Sequence, residues 1–304
     1  MTVVAVVGPT ASGKSDIAMR IATELGAAIV SVDSMQVYRD MNIGTAKPTP
    51  ADLEAVPHHL IDMVDPEEPF TVGEFQREGR RVLEALAGSP VVIAGGSGLH
   101  FRSLVDPLEF PPHDRSVRHD IENLGHEAAV ARLVDVDPEA GTHVDLANPR
   151  RVVRALEVYE LTGETPTRRQ ASPASVAVRE YTSEIAHVTV GVDPGDELED
   201  RVVGRFDAML DAGLLAEVTK LAPRLGETAR AAVGYKQLLG VVDGSMELAA
   251  GRAEAIAATL GLAKRQRTFF RRDPRVHWVS WKNDPDARFR RVVAALEEAG
   301  AWTS

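Results

Sequence analysis

The chain contains no cysteine. That removes disulfides, thiolate metal sites and a cysteine nucleophile, and it agrees with a cytoplasmic location. No apolar run reaches the ~18 residues that a membrane span needs. The first residues, MTVVAVVGPT, carry no basic stretch and enter a β-branched run at once, so no signal peptide is expected. Internal repeats and low-complexity tracts are absent. Positive charge is also scarce: 34 Lys and Arg stand against 45 Asp and Glu, for a formal net charge of −11. The total argues against a nucleic-acid partner, because phosphates call for Lys and Arg. The distribution argues the other way. Basic residues gather at Arg150, Arg151 and Arg154, at Arg168 and Arg169, and in KRQRTFFRRDPR over residues 264–275. One such cluster is ordinarily a solvated helix face; three in an acidic chain keep RNA open as a partner.

What remains is ordinary for a globular protein: 304 residues, 44% hydrophobic and 26% charged. VVAVV (3–7) reads as a strand buried on both faces of a parallel sheet. The spacing predicts a helix from Lys14 to about Leu25, with Ile17, Ile21 and Leu25 on one stripe. AIVSV (28–32) is a second strand, residues 40–70 read as loops, 72–87 as a helix, and PVVIAGGSG (90–98) as a third strand ending in glycines. This alternation predicts an α/β fold, a P-loop doubly wound parallel sheet. The rhythm breaks at DPLEFPPHD (106–114), and residues 115–170 read as helices only. The sheet resumes at 185–193. Helices follow at 196–212, 214–223, 229–240 and 246–271, then a strand at 276–281 and a helix at 285–298. The expectation is a core formed by 1–112 and 183–304, interrupted by a helical insertion over 113–182.

GPTASGKS (8–15) matches G-x-x-x-x-G-K-[ST] between a predicted strand and a predicted helix, the context that makes it a phosphate loop. Gly8 and Gly13 permit backbone angles that aim successive N–H groups, those of Thr10, Ala11 and Ser12 among them, at an anion. The helix starting at Lys14 adds its positive end. The Lys14 ammonium reaches terminal phosphate oxygens, and the Ser15 hydroxyl is placed to coordinate Mg²⁺. A GTP switch would carry N-K-x-D, which does not occur; K-N-D-P at 282–285 is not it. A motor ATPase would show an apolar strand ending in Asp, whereas the third strand here ends in Gly95 and Gly96. A small-molecule kinase stays open.

Asp33 follows the second strand. If the ends of the first two strands lie side by side, about 4.8 Å apart, it stands at the loop's open side. There it could bind Mg²⁺, take a proton from an incoming nucleophile, or simply cap a turn.

The residues around Asp33 sharpen the choice. DSMQVY followed by MNIGTAKP, with GPTASGKS, resembles the tRNA dimethylallyltransferases. The resemblance runs on through PHHLID (57–62), GGSGLH (95–100), NPRRVVRALEVYELTG (148–163), RFDAMLDAGLLAEV (205–218), AVGYKQLL (232–239) and LAKRQRTFFR (262–271). It implies transfer of a dimethylallyl group from dimethylallyl diphosphate to the exocyclic amine of an adenosine just 3′ of the anticodon. On that reading the loop holds a diphosphate leaving group, Arg205 grips it, Mg²⁺ assists, and Asp33 is the general base. Ser97 stands near the target adenine where the family usually has Thr. Ser34, Met35 and Gln36 match residues around the flipped-out base. Arg118, the segment Arg150, Arg151, Val152, Val153 and Arg154, and the segment Ala231, Ala232, Val233, Gly234, Tyr235 and Lys236 match tRNA contacts; Lys264, Arg265 and Arg267 are expected to face the RNA backbone by charge and by their place in the A-K-R-Q motif. His100 replaces a usual Tyr and Phe269 a usual Trp. His58 and His59 read as structural. The implied partners are the tRNA anticodon stem-loop and dimethylallyl diphosphate, with no membrane partner, and the chain is expected to be a monomer. A prenyltransferase acting on free adenylate, a small-molecule kinase and a nucleotide-dependent RNA-binding switch are the alternatives.

Overall fold

The computed structural model describes residues 3–302. Six parallel strands, β1 (Val3–Val7), β2 (Ala28–Ser31), β3 (His58–His59), β4 (Val91–Gly95), β5 (Val188–Val192) and β6 (Val276–Val279), form one sheet in the order β3-β2-β4-β1-β5-β6. Every residue of β1 is buried. Val3, Ala5 and Val7 pack into one apolar layer with Phe75, Phe101, Leu104 and Phe270. Val4 and Val6 pack into the other, with Ile17, Ile21, Phe289 and Val292. A strand has side-chain period two, so an unbroken β-branched run serves both faces at once. The doubly wound P-loop architecture is as expected.

Three local expectations are corrected. The first two predicted strands are not neighbours: β4 lies between β1 and β2 and pairs with both. The stretch 40–70 is not all loop. Pro50–Ala55 is helical behind a capping box at Thr49, and the two-residue β3 adds an edge to β2 through Ile29–His58 and Val30–His59. The helix expected over 229–240 is two helices, Glu227–Arg230 and Tyr235–Val242, parted by Gly234 with φ of 92°.

The residues form two compact units. One comprises the chain up to Val105 and from Ile185 onward; the other is Asp106–Glu184, starting a few residues before the predicted insertion. The chain leaves and re-enters the first unit at one place, where the Ile185 N–H donates to the Val105 carbonyl at 3.4 Å. In the second unit the helices Pro149–Thr162, Pro166–Gln170 and Pro173–Arg179 each begin with proline after a capping Asn148, Thr165 or Ser172. Proline's missing N–H costs nothing there, and the cap satisfies a following N–H. Ile121, Leu133, Val152 and Leu156 are among the residues of this unit's own core. Among the described residues no helix is long and apolar enough to cross a membrane.

Phe101 is 1% exposed and meets His187 and Phe270 edge-on or tilted, at 5.6 and 6.1 Å between centroids. Phe101→Ala is expected to lower the unfolding free energy by about 3–5 kcal/mol, read as a reduced midpoint in urea with unchanged slope.

Candidate active site

The phosphate loop turns between β1 and the helix Lys14–Leu25. Gly8 has φ of 152°, and a Cβ there would lie 2.2 Å from the Val192 carbonyl oxygen on neighbouring β5, so only glycine fits. Gly13, at φ 77°, caps the helix, and Ala11 holds φ of 60°, a costly angle for a residue with a side chain. Side chains brace the loop from outside. Arg201 Nε donates to the Ala11 carbonyl at 2.7 Å, and the Thr10 N–H donates to Gln266 Oε1 at 2.8 Å. Arg205 Nη1 stands 3.5 Å from Thr10 Oγ1, and Lys14 Nζ donates to the Pro9 carbonyl at 3.1 Å. Sequence reasoning missed Arg201 and Gln266. An Arg and a Gln on amphipathic helices carry no local signal, although Gln266 sits inside the KRQR stretch.

A cavity of about 320 Å³ opens above the loop. Thr10, Ala11, Lys14, Ser15 and Arg205 form its phosphate-loop side. Asp33, Ser34, Met35, Gln36 and Ser97 line it too, as do Ala232, Val233 and Gly234, and Arg265 with Phe269. Gly8, Ser12 and Gly13 build the loop without lining the cavity. The Ser12 hydroxyl is fully buried with no hydrogen-bond partner among the described residues, so what Ser12 offers an anion is backbone.

Asp33 stands just beyond β2. Its Oδ1 accepts the N–H of Met35 at 2.8 Å and of Gln36 at 3.3 Å. Gln36 is pinned in turn: its Nε2 donates to the carbonyls of Thr45 and Ala46 at 3.1 and 3.3 Å, and its Oε1 accepts the Ser31 hydroxyl at 2.8 Å. Ser97 follows β4, the strand between β2 and β1, which places it between Asp33 and the phosphate loop. Its hydroxyl lies 2.6 Å from His100 Nδ1, and His100 meets Phe75 edge-on. Burial lowers the His100 pKa from its ordinary value, against an opposing pull from Asp33, so near neutrality the imidazole is uncharged.

Positive charge dominates the mouth. Burial, then the neighbouring Arg205, push the Lys14 pKa down to about 8, with Asp33 opposing. Burial also lowers Arg205, with Asp33 opposing and Arg201 adding to the shift. Two cations this close, out of bulk water, repel each other, and a bound polyanion offsets that cost.

Other expected contacts fare differently. Tyr235 is fully buried, and its hydroxyl donates to Glu217 at 2.5 Å, so it presents no surface to RNA. Its role as a tRNA contact is corrected, because the apolar layer closes over its ring. Val152 and Val153 are likewise core residues of the second unit, 0% and 9% exposed, since they occupy the inner stripe of the helix Pro149–Thr162. Ala231, Lys236 and Lys264 are exposed but do not line the cavity. Arg267 pairs with Asp193 at 2.7 Å.

In the second unit a cavity of about 730 Å³ is lined by Arg118, Arg150, Arg151, Arg154 and Arg169. Arg118 and Arg154 are committed internally: both pair with buried Glu157, at 3.1 and 2.8 Å. Arg154 also donates to the carbonyls of Pro111 and Pro112. Arg150 and Arg151 remain exposed.

A glycine-rich anion loop at the head of β1, in a parallel sheet with helices on both faces, defines a P-loop α/β protein whose cavity pairs a polyphosphate cradle with a carboxylate. Comparison narrows this. Residues 36–273 match the family described as IPP transferase. The tRNA dimethylallyltransferase of Pseudarthrobacter chlorophenolicus is 43% identical over 293 residues, 93% of this chain and 95% of that one. The full-length tRNA isopentenylpyrophosphate transferase of Bacillus halodurans is 32% identical with a TM-score of 0.68, covering 98% of both chains. A eukaryotic dimethylallyltransferase captured acting on tRNA, at 21% identity, shares the fold with a TM-score of 0.81 over 98% of this chain and 80% of its own. The chain belongs to the IPP transferase family.

Lys14 supplies a pH test. Its folded pKa is depressed, so in the free site the ammonium is present below pH 8 and is lost as pH rises through about 8. A bound diphosphate favours the charged form, so binding takes up a proton near and above that pH. Diphosphate affinity, corrected for the ligand's own titration, is expected to be flat below pH 7 and to weaken by up to ~10-fold per unit above 8. Calorimetry in buffers of different ionisation enthalpy measures the uptake; Lys14→Met should abolish it.

Proposed function

We infer that this chain is a tRNA dimethylallyltransferase. It moves a dimethylallyl group from dimethylallyl diphosphate to the N6 amine of the adenosine on the 3′ side of the anticodon and releases diphosphate. The observation that carries the reading is that Lys14 of the phosphate loop and the Asp33 carboxylate line one cavity. A cradle for a leaving anion and an acceptor for a proton face the same space. The family's named activities agree with it.

The residues divide the work. Lys14, Arg205 and the loop backbone hold the diphosphate and take up the charge that builds on it as the allylic carbon–oxygen bond breaks, its electron pair leaving with the diphosphate. Both amide bonds to Asp33 fall on Oδ1, which leaves Oδ2 to accept the proton that N6 loses as its bond to the allylic carbon forms. Ser97, its hydroxyl oriented by neutral His100, holds the amine in line. Met35, Val233 and Phe269 give the apolar surfaces between which an extruded adenine and a prenyl tail lie.

Mg²⁺ fits this site as a ligand shared with the substrate. The donors available are the Ser15 hydroxyl and the Asp33 carboxylate, hard oxygens both, and no cluster of three or more His, Cys, Asp or Glu that could hold a metal occurs among the described residues. Ser15 is the residue that would hold it. When bound, the ion neutralises charge on the departing diphosphate. The exposed Arg150 and Arg151, with Lys236, Lys264 and Arg265, contact the anticodon stem-loop backbone. The enzyme acts in the cytoplasm as a monomer.

The test is incubation with Mg²⁺, labelled dimethylallyl diphosphate and undermodified tRNA. Label in tRNA supports the reading. Label in free AMP alone makes the chain an adenylate prenyltransferase, and ATP turnover without prenyl transfer makes it a kinase or a switch. Asp33→Asn is expected to bind diphosphate and tRNA normally while kcat falls ~10²–10⁴-fold; normal turnover would remove Asp33 from the role of base. Arg150→Ala with Arg151→Ala should raise the tRNA KM and flatten the dependence of log K on log salt by roughly 0.7–0.9 per lost phosphate contact. An unchanged slope would show that neither arginine meets a phosphate.

A further inference from the structure

Three stretches far apart in the chain converge beside the cavity: MNIGTAK (41–47), DAGLLAEV (211–218) and VGYK (233–236). They meet at one carboxylate. Glu217, on the helix Leu214–Leu221, accepts the N–H of Ile43 at 2.8 Å and those of Asn42 and Gly44 at 3.1 Å each. It also accepts the hydroxyl of Tyr235 at 2.5 Å. The Tyr235 ring lies flush on the loop: a Cβ on Gly44 would stand 2.4 Å from a ring carbon, so glycine is required for the contact.

The loop held in this way reaches the chemistry. Gly44, Thr45 and Ala46 form part of the cavity wall. The Thr45 and Ala46 carbonyls accept the Gln36 amide, and the Gln36 N–H donates to Asp33 Oδ1. Residues 42–44 belong to no helix or strand; the Asn42 N–H also reaches the Asp40 carbonyl at 3.1 Å, while those of Ile43 and Gly44 depend on an acceptor from elsewhere in the chain. A partly buried carboxylate taking four donors is a strong and directional one. The phosphate cradle draws on Lys14, Arg201, Arg205 and Gln266, whose hydrogen bonds there go to residues 9–11.

We propose that Glu217 and Tyr235 are positioning residues for prenyl transfer, fixing the 42–46 loop and, through Gln36, the place of the Asp33 carboxylate. The proposal rests on the reading of Asp33 as the base toward the adenine amine. Neither Glu217 nor Tyr235 meets the reacting atoms.

Glu217→Gln keeps the shape and exchanges one accepting oxygen for an amide that cannot accept. Expected is a fall in kcat of about tenfold or more, since a displacement of ~1 Å at a reacting group costs up to ~10²-fold. The diphosphate Kd should stay within about twofold, a split that separates the transition state from ground-state binding. Amide hydrogen exchange at residues 42–44 should quicken while that of the phosphate loop does not. Tyr235→Phe keeps the ring on Gly44 and removes one donor, so it should give a smaller loss of the same kind, and it serves alone if Glu217→Gln does not fold. A purely structural role would lower the thermal midpoint yet leave kcat per diphosphate-binding site unchanged. Unchanged kcat per site in the variants that fold, or unchanged exchange at 42–44, overturns the proposal. Parent enzyme that fails to modify tRNA defeats the functional reading; active parent with indifferent variants defeats only the latch.

Discussion

Burial of the Lys14 and Arg205 cations is the constraint around which the site is arranged. Both cations are drawn out of water at the head of β1, and the Lys14 ammonium is held there with its pKa near 8. Such a pair persists only if the fold over-determines it. The bracing bonds do so: Arg201 on the Ala11 carbonyl, Gln266 on the Thr10 N–H, and Gly8 against β5. The free site therefore stands ready for negative charge, and its one nearby carboxylate, Asp33, is tied back by two backbone N–H groups rather than paired directly with a cation.

The same arrangement separates two tasks that a single group could not perform. Stabilising a leaving anion needs fixed positive charge, whereas accepting a proton from a weakly basic amine needs a carboxylate with a free oxygen. The sheet order supplies the separation. With β4 between β2 and β1, the three strand ends present the Asp33 carboxylate, the Ser97 hydroxyl and the phosphate loop in sequence across the mouth. The crevice is the one expected beyond the carboxyl ends of parallel strands.

Much of this was legible in the residues. GPTASGKS announces itself because three local signals agree: a β-branched run, glycines at the turn, and a helical stripe at Ile17, Ile21 and Leu25. The place of β4 was not legible, since which strand a crossover sets beside which is written in no local pattern. The break at Gly234 was hidden because apolar spacing continues through it; the turn is held by its N–H on Gln237 Oε1 at 2.9 Å. The motif alone sets Tyr235 among residues that match tRNA contacts. Its ring lies in the apolar layer against Gly44, far away in the chain, and only the folded structure brings the two together.

The bond joining Ile185 to Val105 carries a further meaning. Entry and exit of the Asp106–Glu184 unit are neighbours, so that unit is an excursion hung from one point of the chain's path. Its own core, caps and buried Glu157 cluster travel with it. Modularity of this kind lets such an excursion lengthen, shrink or be exchanged over generations without any rethreading of the sheet that carries the phosphate loop.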